Sequence, residues 1–501
     1  MIGIPVGKAY IMHNTRIHRT GFTGFTFRSA LAARQCLAFL LPVLALTVGL
    51  LLSHIAPVMA GSDADSAAAS ESVTPGSGTG SVADSTAASE SVTPGSAADP
   101  AADSESVAPG STSDSASTSA EVRAVWIAYY NFSESKNYNE EEFTLYIEEM
   151  FDNVVAMHMN TVCVHVRPFS DAMYQSSYYP WSYYASGKQG QNPGYDPLSI
   201  MTAAAHDRGL SFYAWLNPYR VTLTSNGGTD VTKLAKTNPA RKWLTNKKTT
   251  DDRNVLAYGG QLYYNPSKSA VRKLIVNGIK EIVENYDVDG IIFDDYFYPS
   301  LGSKYETLFD AQEYEEYASA RTAAGKKAIS IDKWRRSNVN KLISSVYAAI
   351  KSIDESVVFG IAPGGYIDYF DDVDRWYVDY RTWMTKPGYV DFISPQLYWS
   401  FNSLNIYPFY ETLLKWAAVD RLDSVEIWPS LPAYKMNSNA VISTLNKTTD
   451  TEWYNQHLLA DMVRYSRASG ETGGFIFYDY SDMVDAKNQT AVELLIEEFE
   501  R

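Results

Sequence analysis

Gly290-Ile291-Ile292-Phe293-Asp294-Asp295-Tyr296-Phe297-Tyr298-Pro299 is the stretch on which the fold turns. Its opening residues are apolar without alternation, the pattern of a strand covered on both faces, as in a parallel sheet. Two carboxylates, three aromatic rings and a proline then close it. Working outward, β-rich runs recur upstream at 123–130 (RAVWIAYY), 161–167 (TVCVHVR) and 211–216 (SFYAWL). Downstream they return at 357–361 (VVFGI), 391–396 (DFISPQ), 426–431 (EIWPSL) and 474–478 (GFIFY). Helical patterns separate them at 140–157, 197–208, 268–285, 333–352, 371–385, 407–419, 451–469 and 486–500. Eight strands alternating with eight helices predict parallel βαβ units, so the expected fold is α/β, a (β/α)8 TIM barrel. A doubly wound open sheet is the rival. It is weakened because no GxGxxG or Walker loop follows the first strand.

The barrel pattern begins at Glu121, and what precedes it differs in kind. No Asp or Glu occurs before Asp63, whereas Lys8, Arg16, Arg19, Arg28 and Arg34 are basic. An apolar run from Leu37 to Leu52, broken by Pro42, continues to Ala60. Residues 1–60 are therefore expected to be a signal peptide or a membrane anchor, since the run is long enough for either. Everything after it is expected to be extracytoplasmic, secreted or tethered to the membrane or cell wall. Residues 61–120 consist almost wholly of Ser, Ala, Asp, Thr, Gly and Pro, and the octapeptide SESVTPGS at 70–77 returns at 89–96 and, as SESVAPGS, at 104–111. Such a tract has too little to bury to offset the entropy of ordering, and is expected to be a disordered linker. The domains are thus 1–60, 61–120 and the barrel over 121–501.

Composition excludes several classes. Of 501 residues, 45% are apolar, enough for a large core, and the net charge of −16 argues against nucleic acid as a partner. The two cysteines, Cys36 and Cys163, exclude a disulfide scaffold or zinc ribbon. His158, His165, His206 and His457 show no ligand spacing, so no metal and no cofactor is expected. Aromatics reach 13%, with 36 Tyr and 11 Trp, side chains whose flat faces and polar edges suit sugar rings.

Chemistry in a barrel belongs at the C-terminal ends of strands. Alternation along the second strand gives its valines the helix side and places His165 and Arg167 toward the lumen, Arg167 at the mouth. His165 is expected to be held there by hydrogen bonds. The third strand ends in Trp215-Leu216-Asn217-Pro218-Tyr219-Arg220, the fourth in Asp294-Asp295-Tyr296, the sixth in Gln396-Leu397-Tyr398-Trp399 and the eighth in Tyr478-Asp479. An aromatic mouth with few carboxylates is how a polysaccharide cleft would be built. Glycosidic cleavage needs two carboxyl groups. Asp294 and Asp295 point to opposite sides of an extended chain, so one of them is expected to reach the reacting centre, with the second acid drawn from Asp479, Asp482, Asp171 or Asp368.

These blocks also carry a resemblance. EVRAVWIAYY (121–130), AWLNPYR (214–220), GIIFDDYFYP (290–299), SPQLYW (394–399) and WPSLPAYK (428–435), in this order, resemble the signature blocks of the glycosyl hydrolase-like family 10 proteins, bacterial extracytoplasmic TIM barrels. The resemblance implies a glycoside hydrolase of cell-wall glycan, acting on peptidoglycan strands stripped of stem peptides by carboxylate acid–base chemistry. It implies Asp294 and Asp295 as the leading catalytic candidates, which Asp479, offered by the end of the eighth strand, joins. Arg167, Trp215, Asn217, Tyr219, Arg220, Tyr296, Gln396, Tyr398 and Trp399 become cleft residues facing a glycan or oligosaccharide. A non-catalytic carbohydrate-binding barrel, or a hydrolase of another extracellular polysaccharide, is the alternative. Two departures stand out: Cys36 precedes the apolar run and cannot carry a lipoprotein anchor, and GIAPGGY at 360–366 is unusually rich in glycine.

Overall fold

The structure, a computed structural model, describes residues 120–372, 376–402, 404–438, 440–443 and 448–501. The expected signal or anchor segment and the expected linker lie outside the described residues. Among the described residues no helix is long and apolar enough to cross a membrane.

Strands β1 (Val122–Ile127), β2 (Thr161–Arg167), β3 (Ser211–Leu216), β4 (Gly290–Phe293), β5 (Val358–Ile361), β6 (Phe392–Ile393), β7 (Glu426–Ile427), β8 (Ser430–Leu431) and β9 (Gly474–Phe477) form one parallel sheet. Its order is β8-β9-β1-β2-β3-β4-β5-β6-β7. The two edge strands are consecutive pieces of one run, and the chain between them closes the ring. On one side Trp428 N–H donates to Ile393 O (2.9 Å) and Ser430 N–H to Pro395 O (2.9 Å). On the other, Ile476 N–H donates to Pro429 O (3.1 Å) and Tyr478 N–H to Leu431 O (2.8 Å). The run expected at 426–431 is thus one barrel strand, split at Pro429 because proline has no N–H to give the ladder.

A packing helix follows each barrel strand, with further helices such as Pro239–Thr245 and Ala311–Ala323 in the connections: α1 (Glu140–Ala156), α2 (Pro197–His206), α3 (Ser269–Asn285), α4 (Ile331–Ile353), α5 (Tyr380–Thr385), α6 (Phe409–Ala417), α7 (Leu458–Ala468) and α8 (Gln489–Phe499). Local chemistry fixes their starts. Asn139 and Glu142 form a reciprocal capping box before α1, and Asp196 caps α2 with Pro197 at its first turn. The helix expected over 371–385 is instead a short helix, Ile367–Asp372, followed by α5. Tyr377 between them has φ 61°, in the left-handed region where a right-handed helix cannot continue.

Side chains alternate about the sheet. Val162, Val164, Phe212, Ile291, Phe359 and Phe475 face the helices in the main core. Ala124, Trp126, Cys163, Tyr213, Trp215, Ile292, Phe392, Trp428 and Ile476 fill the lumen. The lumen packs large against small. Phe392 stacks on Trp428 at 3.8 Å and fills the space beside Gly360, where any Cβ would lie 2.1 Å from the phenyl ring. The barrel interior is therefore solid, and the chemistry is left to its rim.

Candidate active site

Strand β4 is a fully buried apolar run, so it delivers Asp294 and Asp295 to the C-terminal rim as it ends. Asp294 points into the lumen and is 4% exposed. Trp215 Nε1 donates to its Oδ2 (3.0 Å) and Tyr296 N–H to its Oδ1 (3.3 Å). Burial, reinforced by the charge of Asp295, pushes its carboxyl up to about 7 against the pull of Arg220 and these donors. Asp295 points the other way, is half-buried, and lines a small cavity with Gly364, Tyr366, Phe370, Trp376 and Val378. Burial pushes it up to about 6, opposed by hydrogen bonds from its own backbone N–H and Gln396 and by Arg220.

The AWLNPYR segment builds the wall beside them. Asn217 Oδ1 accepts from Arg220 N–H (2.9 Å), a turn that aims the Arg220 guanidinium between the rings of Tyr296 (4.3 Å) and Phe169 (5.1 Å). Trp215 lies flat on His165, rings 3.6 Å apart and 14° from parallel. His165 is in the lumen as alternation predicts, but stacking holds it in place of the expected hydrogen bonds, for neither ring nitrogen has a partner. Burial and the charges of Arg220 and Arg167 hold it neutral, well below 6.5.

Opposite this wall stands a shelf of rings. Tyr366, on the loop after β5, lies parallel to Trp376 at 6.0 Å and meets Trp399 at 5.0 Å and Tyr407 at 5.4 Å. All four are half-buried, leaving part of each ring toward solvent. The glycine-rich stretch explains how the shelf sits so close. A Cβ on Gly365 would fall 2.5 Å from the Gln396 carbonyl and 2.7 Å from the Trp399 ring. Gln396 Nε2 also donates to Ala362 O (3.0 Å), tying the ends of β5 and β6 together. Tyr398 completes the rim among Tyr434 (5.7 Å) and Tyr478 (5.9 Å), its carbonyl accepting from Lys435 Nζ (2.5 Å).

Three expected site residues lie elsewhere. Arg167 does not reach the lumen: a bulge between His165 and Arg167 shifts the register, pairing Arg167 with the outward-facing Leu216. Its guanidinium lies over Tyr179 (4.6 Å), against Gly278 of α3. Tyr219 is fully buried in the helix-side core, and its hydroxyl has no hydrogen-bond partner. Asp479 is fully buried as an N-cap. Its Oδ1 accepts from Ser481 Oγ (2.7 Å) and Asp482 N–H (3.4 Å), and its Oδ2 from the Tyr130 hydroxyl. With both oxygens engaged it is a poor second acid.

Of the other candidates, Asp368 is an exposed partner of Lys415, and buried Asp171 holds Gln189 (2.9 Å). Asp482 is half-buried and pushed up to about 7 by burial and by Asp479. Tyr366, Trp376 and Tyr407 contribute rings to the site without lying at a strand end. The signal for Tyr366 and Trp376 is the aromatic density of 366–380, of which Trp376 falls inside the expected helix 371–385, and Tyr407 opens the helix expected over 407–419. Among the described residues, no group of three His, Cys, Asp or Glu side chains converges to hold a metal.

The model of the family described as Glycosyl hydrolase-like 10 matches residues 121–447. The chain belongs to this family. Over 342 residues it is 39% identical to the Glycosyl hydrolase YngK of Bacillus subtilis (strain 168), covering 64% of this chain and 62% of that protein. Over 313 residues it is 33% identical to the Glycosyl hydrolase DigH of Escherichia coli (strain K12), covering 59% and 66%. The chain thus spans less than two thirds of the length of these curated relatives. Among solved structures, the α-L-fucosidase isoenzyme 2 of Paenibacillus thiaminolyticus aligns with 76% of this chain and 49% of its own, at 11% identity and a TM-score of 0.45.

Proposed function

We propose that this family member is an exported glycoside hydrolase that cleaves the glycan strands of bacterial cell wall, peptidoglycan freed of its stem peptides, with Asp294 and Asp295 as its carboxyl pair. The observation that carries the reading is the pair itself: two adjacent carboxyls at the rim of a closed barrel, held near 7 and near 6, beside an aromatic shelf. Between those values the pair retains about one proton, which is the state glycosidic hydrolysis requires. Asp294, which holds the shared proton because its affinity is the higher, delivers it to the leaving glycosidic oxygen. Asp295, ionised and the more accessible, faces the substrate across Tyr366 and Trp376, takes up the proton that the attacking water loses, and its negative charge stabilises positive charge developing on the sugar ring. Arg220 keeps the second ionisation within reach of neutral pH. The rings of the shelf stack on sugar faces and give the site its extended reach. In this reading the N-terminal segment exports or anchors the chain, and the Ser/Ala-rich tract spaces the barrel from its anchor.

The test replaces Asp294 and Asp295 singly by Asn and measures release of oligosaccharides from denuded peptidoglycan. A loss of about 10²-fold or more in each variant is expected. Wild-type rates in both would end the assignment. Oligosaccharide recovered intact after saturable binding to the unmodified protein would identify a binding barrel instead.

A further inference from the structure

We infer that Arg335, on α4 and remote from the carboxyls, is a positioning residue that locks the aromatic shelf in register with the Asp294–Asp295 loop. The inference rests on the proposed glycosidase reading for its kinetic consequence, though not for its geometry. Arg335 is fully buried. Its Nε donates to Asp310 Oδ1 (2.7 Å), its Nη2 to Leu308 O (3.0 Å) and its Nη1 to the Tyr377 hydroxyl (2.8 Å). The other Asp310 oxygen accepts from the Tyr298 hydroxyl (2.8 Å). Tyr298 and Tyr377 in turn meet edge-to-face at 4.8 Å. One guanidinium thus joins two loops. Tyr298 lies in the segment that leaves β4 through Asp294 and Asp295. Tyr377 adjoins Trp376 of the shelf and Val378 of the cavity that Asp295 lines.

A second observation points the same way. Phe309 (φ 62°) and Tyr377 (φ 61°) are both non-glycine residues in the left-handed region. Such conformations persist only where surrounding contacts over-determine them, and they gather at functional loops. Arg335 grips the chain on both sides of Phe309, at Leu308 and Asp310, and grips Tyr377 itself. A planar fork with donors in three directions suits this task, and a lysine ammonium does not. The geometry is more specific than stability requires, because a buried ion pair is commonly replaceable by apolar packing.

The decisive variant is Tyr377→Phe, which removes one hydroxyl and no charge. In the full chain, amide hydrogen exchange of segments 297–310 and 376–380 should quicken together in this variant, by about tenfold or more, while the barrel strands keep their protection. On denuded glycan, KM should rise roughly five- to tenfold with kcat within about twofold, because the shelf is loosened and the carboxyls are untouched. Arg335→Lys should show the same split, not rescue it. Exchange and KM at wild-type values in Tyr377→Phe overturn the inference while leaving the glycosidase reading intact. If the unmodified protein releases no product from glycan, that reading fails by itself, and the exchange experiment still decides whether Arg335 couples the loops.

Discussion

Replacing Asp294 by Asn should stabilise the fold above neutral pH while abolishing activity. Burial and the neighbouring charge lift the Asp294 carboxyl from an ordinary 3.8 to about 7. A group whose proton affinity rises on folding binds more protons native than unfolded, so stability is lost as pH climbs between those two values. Three units at about 1.4 kcal/mol each make the cost of ionising this carboxyl in place about 4 kcal/mol above pH 7. Asparagine never ionises and escapes that cost. It forfeits one hydrogen bond, since its Nδ2 cannot accept from both Trp215 Nε1 and Tyr296 N–H as the two carboxylate oxygens do, a loss of about 1 kcal/mol. The variant should therefore be about 3 kcal/mol more stable than wild type at pH 8 and about 1 kcal/mol less stable near pH 4. Urea unfolding of both proteins at the two pH values reads the difference directly. A variant destabilised by the same margin at both would show that Asp294 does not carry a raised proton affinity, and the proposed sharing of one proton with Asp295 would fall with it.

Three further outcomes follow from the same geometry. The pH dependence of kcat/KM should be bell-shaped, falling below about 6 as Asp295 gains its proton and above about 7 as Asp294 loses the last one, and a flat profile from pH 5 to 8 would contradict the pairing. Trp376→Ala should raise KM for long glycans roughly tenfold, about 1–2 kcal/mol of lost stacking, with little change in kcat, because in the proposed reading the ring stacks on a sugar and moves no proton; steady-state kinetics on denuded strands checks it. Gly365→Ala should cost about 2–4 kcal/mol in thermal unfolding and misplace Trp399, since the new methyl has nowhere to go between the Gln396 carbonyl and the indole; an unchanged melting temperature would mean that the shelf is looser than described.

Every barrel strand and most of the helices were legible in the chain, because each strand is a short apolar run covered on both faces and each helix an amphipathic one. The fold needs no long-range information beyond that alternation. Asp294, Asp295, Trp215 and Arg220 were legible for the same reason: a strand end in a barrel is a rim position whatever the rest does. What the residues could not disclose was decided by contacts between strands. A one-residue bulge turned Arg167 to the helix side, although its own strand alternates in favour of the lumen. Both oxygens of Asp479 were taken by Tyr130 and a cap, so its carboxyl was spent on structure. The shelf of Tyr366, Trp376, Trp399 and Tyr407 gathers rings from three loops, and Arg335 reaches it through side chains 25 to 42 positions away. Periodicity belongs to one segment at a time and is written in the chain, whereas register and convergence are properties of neighbours, and only the closed barrel brings those neighbours together.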